Sequence, residues 1–122
     1  MKRLVSFFEI PAKDFPRAVS FYESVFGIKM PVMDCGHEKM AFFPEEEGLA
    51  PGAVSWTEGF DPSGDGVLVS LNCGDMPETL SRITANGGKI LTGRTSIECE
   101  GRGYFAVFSD SEGNSVGLYS DK

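Results

Sequence analysis

The sequence predicts an α+β fold in which two βαβββ modules, 1–60 and 66–122, make a single domain over 1–122 and form a cup. Three observations lead there. Two amphipathic stripes of helical period each open on an Asp-x-Pro triplet, Asp14-Phe15-Pro16 and Asp75-Met76-Pro77, half a chain length apart. Each stripe follows one short run of β-forming residues and precedes further ones. Between the halves lies Asp61-Pro62-Ser63-Gly64-Asp65-Gly66, a tract dense in turn formers. A four-stranded sheet carrying one helix still has a bare face, and two such sheets can set those faces around a shared hollow.

Leu4 to Ile10 is rich in Phe and Val and reads as a strand ended by Pro11, which has no amide hydrogen to donate. Asp14 has the composition of a helix cap, and Pro16 is tolerated in a first turn. Ala18, Phe21, Tyr22, Val25 and Phe26 then form one apolar stripe that Gly27 stops, so a helix is expected over 14–26. Ile28, Met30 and Val32 alternate with Lys29 and Pro31, the pattern of an edge or broken strand. Lys39–Phe43 and Ala53–Phe60 complete the first set of strands, and Glu45-Glu46-Glu47 between them reads as a solvated loop.

The second half follows the same order. Val67–Cys73 is a strand, Met76, Leu80 and Ile83 give a helix over 75–86, and Asn86-Gly87-Gly88 ends it. Strands are expected at Lys89–Thr92, Tyr104–Phe108 and Ser115–Tyr119. The turn Asp110–Asn114 joins the last two.

Composition narrows the function classes. Eleven basic against 18 acidic residues give a formal charge of -7, which opposes nucleic acid as a partner. No apolar run reaches the roughly 18 residues that cross a bilayer, and the basic start leads directly into alternating residues. The expectation is a cytoplasmic protein with neither membrane nor nucleic-acid partners. Cys35, Cys73 and Cys99 are odd in number and widely spaced, hence reduced and mostly buried. His37 lies two residues from Cys35, but Cys35-Gly36 reads as a turn rather than half of a catalytic pair.

Strand alternation then selects candidate site residues. Phe7 and Glu9 share one face of the first strand, while Phe8 and Ile10 face a helix. Trp56 falls with Glu58, and Gly117 with Tyr119. Each has two readings. Trp56 floors a pocket or fills the core; Glu9 serves a ligand or pairs with a base such as Arg17; Tyr119 contacts a ligand or seals the sheet edge. Arg94 and Arg102 read as solvated surface near turns, and the glycines at 64–66 and 101–103 lack the flanks of a phosphate cradle.

Phe8-Glu9-Ile10-Pro11-Ala12, Asp14, Arg17-Ala18, Phe21-Tyr22 and Val25-Phe26-Gly27 resemble the vicinal oxygen chelate superfamily, which holds glyoxalase I, bleomycin-type resistance proteins and extradiol dioxygenases. Asn86-Gly87-Gly88 and Phe108–Asn114 resemble its second helix end and last hairpin. The resemblance implies paired βαβββ modules and, in the enzymes, a divalent metal held by His or Glu from the first, fourth, fifth and eighth strands. Those positions fall here on Phe7 (or Val5), at or beside Trp56 with Glu58 two residues on, between Val67 and Val69, and on Gly117. No metal and no cofactor is therefore expected, unless Glu9 and Glu58 build a displaced site.

The leading functional reading is a metal-free cup binding a small organic molecule, with Phe7 and Trp56 giving apolar contact and Glu9, Glu58 and Tyr119 polar contact. One alternative is a divergent lyase or isomerase using Glu9 or Glu58 as a base. Another is a non-catalytic partner protein with a vestigial cup. A homodimer is expected, because sheet edges need cover and the superfamily often pairs modules between chains.

Overall fold

A computed structural model describes residues 4–97 and 103–122; Cys99, Gly101 and Arg102 lie outside them. The chain runs β1 (Phe8–Pro11), α1 (Phe15–Phe26), β2 (Val32–Asp34), β3 (Glu38–Phe42), β4 (Gly52–Thr57), β5 (Ser70–Asn72), α2 (Met76–Ala85), β6 (Lys89–Ser96), β7 (Tyr104–Ser109) and β8 (Ser115–Ser120). Two four-stranded sheets result, ordered β1-β4-β3-β2 and β5-β8-β7-β6. In each, the strand before the helix lies parallel to the last strand of its module. This is the two-module α+β cup that the duplicated pattern predicts.

Both helices begin as their triplets require. Asp14 accepts from the Arg17 amide and Asp75 from the Glu78 amide, each with a proline in the first turn. Gly27 closes α1 in the left-handed conformation at φ 63°, which a side chain would strain.

Several strand boundaries move. β1 starts at Phe8 and includes Pro11, where the sequence suggested Leu4 to Ile10. The amides of Phe8 and Ala12 donate toward β4, so the position of Pro11 faces the open edge, where no donor is needed. Ile28 and Met30 belong to irregular chain rather than strand. Met30 is buried, and its amide donates to Glu23 at 2.8 Å. β5 shrinks to Ser70–Asn72, leaving Val67 92% exposed on the connector. β6 instead lengthens to Ser96, with register shifts along its pairing to β7.

Register assigns the faces. Ile10, Val54 and Ala41 lie abreast in the first sheet, and Leu71, Leu118 and Ala106 in the second. All pack in or against one core with Phe21, Tyr22, Met76 and Ile83 from the helices. α1 serves both sheets: Tyr22 meets Phe43 edge-on at 5.6 Å between centroids, and Phe21 lies 6.1 Å from Phe108.

The β7–β8 turn locks the modules together. Glu112, with its side chain 1% exposed, accepts from the amides of Lys13 and Asp14 at 3.0 and 2.7 Å. Arg17 donates to the same carboxylate through Nε at 2.7 Å. Asn114 donates to the Pro11 carbonyl at 2.8 Å, and the buried Tyr22 hydroxyl donates to Asp110 at 2.7 Å. Arg17 thus pairs with Glu112, not with Glu9 as one reading of the sequence allowed. The start of α1 holds the Glu112 carboxylate through the Lys13 and Asp14 amides, which places it within reach of the Arg17 guanidinium.

These contacts shift the ionisations. Burial alone would raise the Glu112 carboxyl, but hydrogen bonds from Arg17, the Asp14 amide and Ser111 hold it below its ordinary value. Burial, then the charge of Asp110, push the Tyr22 hydroxyl well above its usual range.

Because the folded Glu112 carboxyl lies below its ordinary value of 4.5, its stabilisation is complete above that pH and is lost as pH falls through the lower folded value. Glu112→Ala is expected to cost about 2 kcal/mol at pH 7, and Glu112→Gln to flatten the acid side of the stability profile. Denaturant melts from about pH 2 to about pH 7 check both; an unchanged acid limb in Glu112→Gln would remove this residue from the acid response.

Candidate functional site

The five candidate residues do not converge. Phe7 lies just before β1 with its ring 6.1 Å from that of Phe42, on the face away from the helices. Glu9 shares that face and accepts from the buried Ser55 hydroxyl at 2.8 Å. Trp56 points the other way. It sits abreast of Lys39 on the face of Val54 and Ala41, half-buried against the core, with the Lys39 ammonium 5.5 Å from its ring. Because strand faces alternate, Ser55 rather than Trp56 takes the place beside Glu9.

Glu58 falls beyond the end of β4, exposed in the turn where Phe60 donates to the Thr57 carbonyl, so it shares no strand face with Trp56. Tyr119 lies on the second sheet with Gly117, and its hydroxyl donates to Asp121 at 2.9 Å. Cys35 is exposed, against the expectation of mostly buried thiols, because its hairpin turn projects from the sheet. Cys73 is half-buried, and that burial raises its thiol. The charge of Asp75 adds to the rise, while a hydrogen bond with Thr79 opposes it. Arg94 is exposed in β6, as expected of solvated surface, and its guanidinium lies 3.6 Å from the centre of the Tyr104 ring.

One candidate does line a cavity. A cleft of about 340 Å³ opens between β1 and the start of β8, bounded by 8–11, 114–116 and the connector 60–69. Glu9 and Asp61 bring carboxylates to it, while Phe60, Val67 and Val69 bring apolar surface. The other polar side chains there are committed: Asn114 holds Pro11 and the Ser63 amide, Ser63 accepts from the Asp65 amide, and Ser115 donates to the Gly64 carbonyl at 2.8 Å. Tyr119 stands four residues along β8 from Ser115, about 13 Å at strand rise, and does not line the cleft.

Ser55, Phe60 and Asp61 were not selected from sequence. Phe60 and Asp61 stand at the edge of the turn-forming tract, where composition signals a connector and nothing about which cavity it borders. Ser55 carries a signal in retrospect: it sits one residue from Trp56, on the alternate face.

The fold and the cleft define a cup protein of paired βαβββ modules. The family model of the Glyoxalase/Bleomycin resistance protein/Dioxygenase superfamily matches residues 4–118, and the chain belongs to that superfamily. A glyoxylase-like domain-containing protein of Didymella fabae is 34% identical over 116 residues, covering 91% of this chain and 88% of that protein. Among solved structures, glyoxalase I from Zea mays superposes with a TM-score of 0.71 at 18% identity, over 94% of this chain and 45% of the maize chain. This chain thus spans about half of the maize enzyme. A glyoxalase/bleomycin resistance protein from Albidiferax ferrireducens gives 0.68 at 16% identity, over 97% and 98% of the two chains.

The residues do not fit the metal that the enzymes of this superfamily carry. Phe7 offers a ring, Trp56 faces the core, and Val67 to Val69 have no donor side chains. A Cβ at Gly117 would collide with the Ser70 hydroxyl, so a ligating side chain has no room unless Ser70 moves. Among the described residues, no group of three or more His, Cys, Asp or Glu is arranged to hold a metal ion. The displaced pair of Glu9 and Glu58 is also separated, one on β1 and the other in the turn past β4.

Trp56→Ala is expected to lower stability by about 2 kcal/mol, through lost packing, while leaving the cleft intact. Thermal denaturation reads the first effect, and amide chemical shifts at 8–11 and 114–116 read the second. Large shift changes at those positions would place Trp56 within the site after all.

Proposed function

We propose that this protein binds a small organic molecule in the cleft between β1 and β8. The observation that carries the reading is the pairing of apolar walls with a carboxylate held in place: Phe60, Val67 and Val69 line the same cavity as Glu9, which Ser55 fixes. Removing apolar surface from water supplies roughly 25 cal/mol per Å², and the carboxylates orient what enters. Phe7 extends the apolar face beside Glu9. Trp56 is not part of this contact set, nor are Glu58 and Tyr119.

A catalytic reading rests on the same Glu9–Ser55 bond, which would orient the carboxylate as a base in a lyase or isomerase reaction. Glu9→Gln separates the two. Loss of turnover with near-normal affinity supports catalysis, whereas loss of affinity supports binding alone. Phe60→Ala is expected to weaken any cleft ligand by about fivefold or more, read by calorimetric titration of hits from a small-molecule panel. A panel without a single hit would favour a partner protein with a vestigial cup.

The cleft protein is also proposed to be a cytoplasmic homodimer. Among the described residues no helix is long and apolar enough to cross a membrane. β2 is an edge strand whose Val32 and Met33 are 55% and 42% exposed, apolar surface that a second copy would cover. Light scattering at micromolar concentration is expected to give twice the chain mass, and a single chain mass would overturn the dimer.

A further inference from the structure

We infer that the cleft selects organic cations, small molecules that carry a protonated amine on an apolar body. The inference rests on the proposed binding role of the cleft and adds the chemical class of its ligand. Four observations support it. Glu9 and Asp61 both line the cavity, and among the described residues no Lys or Arg does. The ion pairs among those residues are Arg17–Glu112 and Arg82–Glu78, so neither cleft carboxylate has a cationic partner there. The Ser55 hydroxyl, in a residue 1% exposed, holds Glu9 Oε1 at 2.8 Å, which fixes the carboxylate in position before a ligand arrives. The remaining lining is largely apolar, with Phe60 part-exposed and Val67 almost wholly in water until a ligand covers them.

Each element excludes a different ligand class. An anion would meet two carboxylates with no compensating cation among the described residues, in a protein whose formal charge is already -7. A small inorganic cation would leave the apolar walls unused. A neutral apolar molecule would cover Phe60 and Val67 while stripping water from Glu9 without replacing its hydrogen bonds. A protonated amine donates to the carboxylates while its hydrocarbon body lies on the walls. Ser55 is a positioning residue in this scheme, since its hydroxyl holds Glu9.

The test compares three probes of one shape: 2-phenylethylammonium, 2-phenylethanol and phenylacetate. Binding to the full chain is followed by amide chemical shifts at 8–11, 60–69 and 114–116 and by calorimetry. The ammonium probe is expected to bind about tenfold tighter than the alcohol, with phenylacetate weakest. Glu9→Gln and Asp61→Asn should each reduce that preference, and added salt should reduce it in the parent protein. Ser55→Ala should weaken the ammonium probe more than the alcohol; a circular-dichroism melt confirms that each variant folds. Equal binding of ammonium and alcohol, or a preference unmoved by both carboxylate variants, overturns the charge selectivity and leaves the cleft as a binding site. Failure of every probe to shift those amides overturns both.

Discussion

The hydrogen bonds from the β7–β8 turn to the start of α1 hold the two halves of this molecule in one arrangement. Glu112 satisfies two amides ahead of the helix and Arg17 within it, and Asn114 bridges Pro11 to the connector. Most of these bonds join partners about a hundred positions apart in sequence. They place β1 beside the start of β8, and that adjacency creates the cleft. A buried carboxylate in such a position stabilises only because each of its oxygens is bonded.

The duplication is not carried through to this clamp. The loop of the first module that corresponds to the β7–β8 turn, 44–51, has three adjacent exposed glutamates and closes on itself through Glu46 and Leu49. Among the described residues, its backbone hydrogen bonds run within the loop and to β1, not to α2. The two modules therefore share strand order and helix caps but differ in what their last turns do. One turn fastens its neighbour and the other remains in solvent, so the pair has a tight end and an open one.

The cleft inherits its chemistry from this asymmetry. Clamping occupies the polar side chain of Asn114, and among the described residues Glu9 and Asp61 are the charged groups that line the cavity. Shortening of β5 releases Val67 and Leu68 from the sheet, so apolar side chains that would have paired in a longer strand stand at the connector instead. Gly117, the position to which the sequence resemblance assigned the last metal ligand, is pressed against Ser70. The same backbone plan can present different side chains at corresponding positions, because donor groups are local choices on a shared frame.

Both helices, their caps and the duplicated order of elements were legible in the sequence, since Asp14, Asp75, Gly27 and the apolar stripes act within a few residues of chain. The faces of β1 were legible too: Phe8 and Ile10 pack inward, and Glu9 points away from the helices. Trp56 shows where that reasoning stops. Its large ring suggested a site, but the pairing of β4 with both β1 and β3 turned Ser55 toward Glu9 and Trp56 toward the core. Alternation tells which residues share a face and leaves open which face is inward; only register against neighbouring strands decides that. The cleft itself had no local signal. Phe60, Asp61, Glu9 and Asn114 meet through contacts between distant segments, and the free energy that brings them together belongs to the assembled core and the Glu112 clamp.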